Sequence, residues 1–260
     1  MRLTIVGCSG SLAGPASSAS SYLLQTRDKV GRLWSLVLDL GSGAFGPLQT
    51  LIQPEAVDAV ALSHLHPDHC ADLTGLAVYA KYRPGAVMDT LPVYGPADTA
   101  RQLKAMQYSA DPNSEGDLRV VPFQEGEPFQ VGPMVATPYR VLHPVEAWGL
   151  RVVGPNSVRP GRTSVFAFSG DTDECPGLTK VAAGADLLLI EAAFQEGRDA
   201  FRGVHLTGLR AGRVASQAQA KRVVLTHLPP WNDPADTLQE TEMAYAGPVH
   251  VARPRASYVF

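Results

Sequence analysis

The sequence predicts an α/β protein whose functional site lies at the carboxyl ends of its strands. Apolar runs typical of buried strands, such as residues 57–62 and 187–190, alternate with segments whose apolar residues recur at helical spacing. Side chains that can bind metals follow several of these strands, and open α/β sheets usually place their sites at that end. The residues concerned are His64, His143, Asp171, Glu191 and His227.

Composition fits a globular protein, and we expect residues 1–260 to form one domain. The chain has 260 residues, of which 45% are hydrophobic and 18% charged. Its formal net charge of -3 argues against a protein that binds mainly to phosphate backbones, which needs clustered Lys and Arg. No run approaches the roughly 18 apolar residues of a membrane span. Cys8, Cys70 and Cys175 are widely spaced and odd in number, which favours a reducing, cytoplasmic setting.

The first part of the chain predicts three strands, at residues 3–6, 21–25 and 34–40. The stretch from Gly41 to Gly46 satisfies the dinucleotide-binding pattern G-x-G-x-x-G. Such a site also needs an acidic residue about 20 positions on, at the end of the next strand, and that strand ends in histidines instead. A nicotinamide site is therefore not expected. We interpret Asp39 as a buried carboxylate that supports a metal site.

The segment from His64 to Cys70 carries the strongest chemical signal in the chain. Residues two apart in an extended segment point to the same side, so His64 and His66 can bind one ion. Pro67 suits the first position of a helix, which places Asp68 and His69 in a turn that is aimed differently. The spacing therefore predicts two adjacent metal ions.

Helices and strands also alternate in the rest of the chain. Thr207 has the side chain of a helix N-cap, and His205 lies just before it. The polar segment 108–116 is interpreted as a solvated connection or a lid. Further helices are predicted at residues 97–106, 178–183, 208–220 and 237–245. Further strands are predicted to end at His143, before Asp171, at Glu191 and at His227, with a last one near residues 249–251.

These motifs resemble, in order, those of the metallo-β-lactamase superfamily, whose fold is a four-layered αβ/βα sandwich with a di-metal cleft along one edge. Glu191 and His205 match the additional Glu and His of the ribonuclease Z branch. Within that branch the chain is similar to the actinobacterial atypical class II cyclic-nucleotide phosphodiesterases. The segments that carry this similarity are residues 7–11, 64–70, 169–172 and 225–231.

The resemblance implies seven ligands for two metal ions. They are His64, His66 and His143 for one ion, Asp68, His69 and His227 for the other, and Asp171 as the bridge. Imidazoles and carboxylates without a thiolate suit Zn(II), with Mn(II) or Fe(II) as lesser candidates. Two such ions roughly 3.5–4 Å apart can share a hydroxide that attacks a phosphodiester.

The expected function is a cytoplasmic di-zinc phosphodiesterase that opens a 3′,5′-cyclic nucleotide, with cyclic AMP in first place, to its 5′-monophosphate. His205, Glu191 and Asp68 are the expected catalytic residues. Trp231 and Trp148 follow ligands closely and are candidates to stack on the purine ring, with core packing as the alternative. We expect a small-molecule substrate and neither a stable nucleic-acid partner nor a membrane, and the branch implies a homodimer.

Two other activities remain open on the same fold. A tRNA 3′-end endonuclease is disfavoured, because many of these enzymes insert a long arm between the positions of His143 and Asp171, which are only 28 residues apart here. The residues after His227 also differ from the Arg-containing segment of the tRNA enzymes. An ester, thioester or lactone hydrolase would not need the Glu191–His205 pair. A non-enzymatic protein would be expected to lack ligands, and none is missing.

Overall fold

Two mixed β-sheets lie face to face at the centre of the fold. The structure is a computed structural model that describes residues 1–85, 90–107 and 118–260. Over these ranges fourteen strands form two sheets of seven. The strands are β1 (Arg2–Gly7), β2 (Ser21–Arg27), β3 (Leu33–Leu38), β4 (Ala59–Ala61), β5 (Leu91–Gly95), β6 (Leu118–Pro122), β7 (Phe129–Val131), β8 (Met134–Arg140), β9 (Trp148–Pro155), β10 (Thr163–Phe168), β11 (Leu187–Glu191), β12 (Val223–Thr226), β13 (Val249–Val251) and β14 (Ser257–Val259).

Helices cover the outer face of each sheet. They are α1 (Phe45–Gln49), α2 (Pro67–Cys70), α3 (Leu73–Tyr82), α4 (Thr99–Gln107), α5 (Pro176–Ala182), α6 (Gly208–Gln217) and α7 (Pro234–Glu242), with a 3-10 turn at Pro54–Ala56. Leu73 and Leu76 of α3 pack on the first sheet, and Leu178 of α5 and Ala211 of α6 pack on the second. None of the helices in the described ranges is long and apolar enough to cross a membrane.

The two sheets share one pattern of strand directions. Their orders are β14-β1-β2-β3-β4-β5-β6 and β13-β12-β11-β10-β9-β8-β7. Strands β3 to β6 run parallel in the first sheet, and β10 to β13 run parallel in the second. The other neighbours are antiparallel. Parallel neighbouring strands end at the same edge of a sheet. The residues that follow the parallel strands of each sheet therefore lie together at that edge.

Alternation along the strands explains the layering. Leu187 and Leu189 of β11 face the core between the sheets, whereas Leu188 and Ile190 face the outer helices. Successive side chains of a strand point to opposite faces, so a strand covered on both sides is apolar throughout. Burying each such Leu or Ile side chain contributes roughly 1.5–3 kcal/mol. The order helix, sheet, sheet, helix confirms the predicted α/β class and the four-layered αβ/βα sandwich.

Most predicted elements are present with shifted ends. Thr207 caps α6 as predicted, because its side chain accepts a hydrogen bond from the backbone N–H of Arg210. The helix expected after the histidine motif is split, since α2 ends at Cys70 and α3 begins at Leu73. The segment 108–116, interpreted as a connection or lid, lies outside the described residues.

The carboxyl ends of strands from both sheets meet at one edge of the sandwich. β4 of the first sheet leads into the segment from His64 to His69, while β10, β11 and β12 of the second lead to Asp171, Glu191 and His227. His143 lies on the connection between β8 and β9. The side chains that follow these strands converge into three groups that could hold a metal ion.

Candidate metal centre

The first donor cluster consists of His64, His66 and His143. Nε2 of His64 lies 2.9 Å from Nδ1 of His66, and Nε2 of His143 lies 3.2 Å from that same Nδ1. His64 is fully buried, whereas His66 and His143 are half-buried. Three imidazole nitrogens therefore converge on one point. The spacing predicted that His64 and His66 would lie together, and the family resemblance added His143.

The second donor cluster consists of Asp68, His69, Asp171 and His227, all of them buried. Nε2 of His69 and Nε2 of His227 lie 3.2 and 3.1 Å from Oδ2 of Asp171. Oδ2 of Asp68 lies 3.4 Å from Nε2 of His69 and 3.7 Å from Nε2 of His227. The turn at Pro67 thus aims Asp68 and His69 away from the first cluster, as expected from the start of a helix.

Asp171 lies between the two clusters. The same Oδ2 that contacts His69 and His227 is also 3.7 Å from Nε2 of His64 in the first cluster. Asp171 follows the end of β10 in the Ser-Gly-Asp-Thr turn, where Gly170 adopts a φ of 59° and its backbone approaches the carbonyl of Trp148. This is the position that a bridging carboxylate requires.

Buried partners fix the orientation of the histidine rings. Nδ1 of His69 lies 2.7 Å from Oδ2 of Asp39, and Nδ1 of His143 donates to the carbonyl of Val204 at 2.8 Å. Nδ1 of His227 lies 3.0 Å from Oγ of Ser20. Such partners select the tautomer whose other nitrogen is free to bind a metal. Asp39 is thus a buried carboxylate in contact with a candidate metal ligand, as the sequence predicted.

The donor set fits metal ions. When His69 donates Nδ1–H to Asp39, its Nε2 carries a lone pair, and that atom is buried without a hydrogen-bond partner. It faces carboxylate oxygens of Asp68 and Asp171, which are also acceptors. Acceptors facing one another in a buried site need a cation between them. Imidazole nitrogens and carboxylate oxygens are the ligands of zinc in many proteins.

The pKa shifts of the buried residues in the two clusters also fit a site that holds metal ions. Burial lowers the pKa of His64 well below its ordinary value, and the charge on His69 lowers it further. Burial would raise the pKa of Asp171, but His227 and His69 lower it well below the ordinary value. Burial would lower the pKa of His69, but Asp171 and Asp39 raise it well above the ordinary value. A metal ion in the second cluster would therefore displace a proton from His69.

His205 and Glu191 form a pair beside both clusters. Nδ1 of His205 lies 2.8 Å from Oε1 of Glu191 and 3.9 Å from Oδ2 of Asp171. Backbone N–H groups of Thr172 and Ala193 donate to the Glu191 carboxylate at 2.9 and 3.0 Å. Burial would lower the pKa of His205, but the charge of Glu191 and its hydrogen bond raise it to about 9. The ring of His205 lies 5.4 Å from those of His143 and His227.

The prediction that Trp148 stacks on a substrate is wrong. Its side chain is 2% exposed and belongs to the core between the sheets, where its ring contacts Phe123. Its indole N–H donates to Glu146 at 3.0 Å, and Arg140 covers a ring face. A ring enclosed on all sides offers no surface to a ligand. Trp231, in contrast, is 62% exposed on the loop after His227 and remains a candidate.

The glycine-rich stretch after β3 serves the metal centre rather than a nucleotide. A Cβ placed on Gly41 would lie 1.9 Å from the backbone carbonyl oxygen of Asp68. The backbone N–H of Leu40 also donates to the carbonyl of His69 at 2.8 Å. Only a residue without a side chain allows the chain after β3 to approach the ligand-bearing turn so closely.

We therefore expect Gly41→Ala to displace the turn that carries Asp68 and His69. Overpacking of this kind costs about 1–3 kcal/mol. Urea unfolding should show that loss, and the purified protein should retain less bound metal. Gly46→Ala is the matched control, since a Cβ there meets nothing within 4 Å and the residue lies in α1. Equal stability and metal content of the two variants would contradict the packing argument.

Some residues at the site are not apparent from the sequence. Ser20 and the carbonyl of Val204 contact ligand histidines from segments without a motif. Phe194 lies with its ring 5.0 Å from that of His205. The backbone N–H of Asp173 donates to the carbonyl of Leu142, next to His143, at 2.9 Å. Its place directly after the Ser-Gly-Asp-Thr motif is the one signal that could have suggested this contact. The others become neighbours only through the tertiary fold.

Comparisons with known proteins agree with the fold and the donor clusters. The family model described as the beta-lactamase superfamily domain matches residues 36–228. An uncharacterized protein of Mycobacterium leprae is 40% identical over 253 residues, which cover 96% of this chain and 85% of the relative. The probable metallo-hydrolase YhfI of Bacillus subtilis is 30% identical over 258 residues, or 97% of each chain.

Solved structures and more distant relatives extend this picture. A crystal structure of YhfI superposes with a TM-score of 0.83 at 28% identity, covering 99% of this chain and 98% of that one. Ribonuclease Z of Bacillus licheniformis is 26% identical over 274 residues, or 88% of each chain. The chain thus belongs to the metallo-β-lactamase superfamily and has the His/Asp clusters of a metal-dependent hydrolase.

Proposed function

We propose that this chain is a di-zinc phosphodiesterase that hydrolyses 3′,5′-cyclic nucleotides, cyclic AMP in first place, to 5′-monophosphates. The observation that carries the proposal is the Glu191–His205 pair beside two complete donor clusters. The seven ligand candidates need neither residue, so the pair is available for substrate chemistry. An ester or lactone hydrolase would have no evident use for it.

The relatives support chemistry at phosphorus. Ribonuclease Z, as its name states, acts on RNA, whose backbone is a phosphodiester. Hydrolysis of a small cyclic phosphodiester needs the same metal ligands as hydrolysis of RNA, but a smaller substrate-binding surface on the protein. Residues 148–155 and 163–168 form β9 and β10, so the chain from His143 to Asp171 carries no long arm of the kind that holds tRNA.

Each residue of the site has a role in this proposal. One zinc ion would be held by His64, His66 and His143. The other would be held by Asp68, His69 and His227, and Asp171 would bind both ions. Zinc ions bound there would polarise the phosphodiester and lower the pKa of a water molecule. Without metal, burial would raise the pKa of Asp68, but His69 lowers it to about 2. With zinc bound, the charge of the ion would keep Asp68 ionised in place of the proton on His69. An ionised Asp68 can also accept a hydrogen bond from the attacking water.

His205 is placed to act on the leaving group. Glu191 accepts the hydrogen bond from Nδ1, which leaves Nε2 as the nitrogen that a substrate oxygen can reach. The half-buried His205 lies at the junction of the rings of His143 and His227, where the phosphate would be held. From this position it can stabilise charge on a phosphoryl oxygen or donate a proton to the leaving 3′-oxygen.

A side-by-side turnover assay tests the proposal. The zinc-loaded protein is given cyclic AMP, cyclic GMP, a precursor tRNA, a generic phosphodiester and a lactone, and product is quantified for each. We expect cyclic AMP to have the highest kcat/KM and 5′-AMP to be the product. A higher kcat/KM for the precursor tRNA or the lactone would show that the proposed substrate class is wrong.

Trp231→Ala is expected to raise the KM for cyclic AMP about tenfold and to leave zinc content unchanged. Base–aromatic stacking contributes roughly 1–3 kcal/mol, and each 1.4 kcal/mol is a factor of ten in affinity. Steady-state kinetics and elemental analysis give the two readouts. Val30→Ala is the control, because Val30 is 90% exposed on the hairpin at the far end of β2. An unchanged KM would remove Trp231 from the substrate pocket.

A further inference from the structure

Asp173 is a buried carboxylate that accepts hydrogen bonds from the loop that carries His205, from helix α6 after that loop, and from the backbone N–H of Glu174 beside it. Its side chain is 1% exposed. Oδ2 accepts hydrogen bonds from Nε of Arg202 at 2.6 Å and from the backbone N–H of Gly203 at 2.8 Å. Oδ1 accepts from Nη1 of Arg210 at 2.8 Å. Asp173 is not among the candidate metal ligands in the described residues.

The backbone of Asp173 is joined to the segment that carries His143. The N–H of Asp173 donates to the carbonyl of Leu142 at 2.9 Å, and His143 is the next residue. On the side of the loop, Gly203 is followed by Val204, whose carbonyl accepts the Nδ1–H of His143 at 2.8 Å. Asp173 therefore holds both the backbone before His143 and the loop that orients the ring of His143.

The same contacts extend to His205. Arg210 is 4% exposed, and its Nη1 donates to the carbonyl of His205 at 3.2 Å as well as to Asp173. Between β11 and α6 the described chain forms no helix or named strand. Residues 202–205 therefore depend on side-chain contacts for their position, and Asp173 supplies the largest group of them.

We propose that Asp173 is a positioning residue for the metal centre, which it serves by clamping residues 202–205 against the segment of His143. The clamp keeps Nδ1 of His143 on the carbonyl of Val204, so that Nε2 points to the first donor cluster. It also holds the backbone of His205 beside the second. The proposal concerns metal retention and holds whatever the substrate is.

Asp173→Asn tests this proposal, because asparagine has nearly the same shape as aspartate but one acceptor oxygen fewer. The amide would present N–H groups to Arg202, Gly203 or Arg210 and cannot accept all their hydrogen bonds. Outer contacts of metal-binding histidines typically change metal affinity 10–100-fold. In competition with a chromophoric chelator, we expect one of two zinc equivalents to be released at a 10–100-fold lower chelator concentration. Hydrogen–deuterium exchange at the amide of Gly203 should become faster.

Asp186→Asn is the matched control. Asp186 also caps a backbone N–H, that of Val165 at 2.7 Å, and pairs with Lys221 at 2.7 Å. It precedes β11, whereas the site lies beyond the opposite end of that strand. Its zinc release should match that of the wild type, even if its melting temperature falls.

A purely structural role would give a different pattern. It would lower the melting temperatures of the metal-free and zinc-loaded forms equally, whereas the clamp predicts a smaller rise in Tm on adding zinc. Unchanged zinc release in folded Asp173→Asn overturns the proposal. If that variant does not fold, Arg210→Lys carries the test, with an expected release shift of several-fold in the same direction. Wild-type release in Arg210→Lys would then overturn it.

Discussion

Asp171→Ala is expected to reduce bound zinc from two ions to less than one per chain and to abolish measurable hydrolysis. Oδ2 of Asp171 contacts His69 and His227 in one cluster and lies 3.7 Å from His64 in the other. Loss of this carboxylate removes a donor from both ions at once. Metal polarisation supplies several kcal/mol of transition-state stabilisation, so turnover should fall by at least about a thousandfold.

Elemental analysis and turnover of the same preparation measure both effects. Asp186→Ala serves as the control for removal of a carboxylate from the second sheet, since Asp186 lies at the other end of β11. If Asp171→Ala retains one full equivalent of zinc, the bridging assignment is wrong and Asp171 belongs to a single ion.

His205→Ala is expected to retain both zinc ions and the fold but to lower kcat at least about a hundredfold. A positioned acid or base typically contributes about 10²–10⁴-fold to a reaction rate. His205 is outside the seven-ligand set, and its Nδ1 is held by Glu191 at 2.8 Å. Removal of the ring should therefore act on turnover and not on metal content. Zinc analysis, circular dichroism and kcat for cyclic AMP distinguish these effects.

Glu191→Gln should lower kcat in the same direction by a smaller factor. The amide can still accept from Nδ1 of His205, but it no longer balances a positive charge on the ring. With the amide oxygen in the place of Oε1, it also keeps the hydrogen bond from the backbone N–H of Thr172, but the amide nitrogen can no longer accept from the backbone N–H of Ala193. Near-normal turnover of His205→Ala would show that the histidine is structural, and the proposed role of the pair would then be wrong.

The sequence predicts those parts of the fold and site that depend on local pattern. Three features each depend on only a few neighbouring residues. They are the ligand-type residues at strand ends, the turn at Pro67 and the helix-capping side chain of Thr207. The short strand β14 pairs with β1 at the other end of the chain and went unpredicted. Its three residues carry no distinctive pattern, and only the pairing makes them a strand.

Burial of an individual aromatic residue is harder to predict. Trp148 and Trp231 lie at similar distances in sequence from ligand histidines, yet one is 2% and the other 62% exposed. Trp148 begins β9 and faces the core between the sheets, whereas Trp231 lies on a loop. Proximity in sequence to a ligand constrains the position of the backbone but not the direction of the side chain. The contacts of Asp173 are not apparent from the sequence either, because its side-chain donors, Arg202 and Arg210, lie about 30 residues or more away along the chain.

The division of the ligands between the two sheets has a consequence for how the protein acquires and keeps its metal. His64 to His69 follow the first sheet, and His143, Asp171 and His227 follow the second. Neither sheet alone presents all the candidate ligands, so metal ions would find the complete site only after the two sheets have packed together. Once bound, they join the two sheets, and the sheets must lose these bonds before they separate. Metal binding should therefore slow unfolding more than it speeds folding, and confer kinetic stability on the protein.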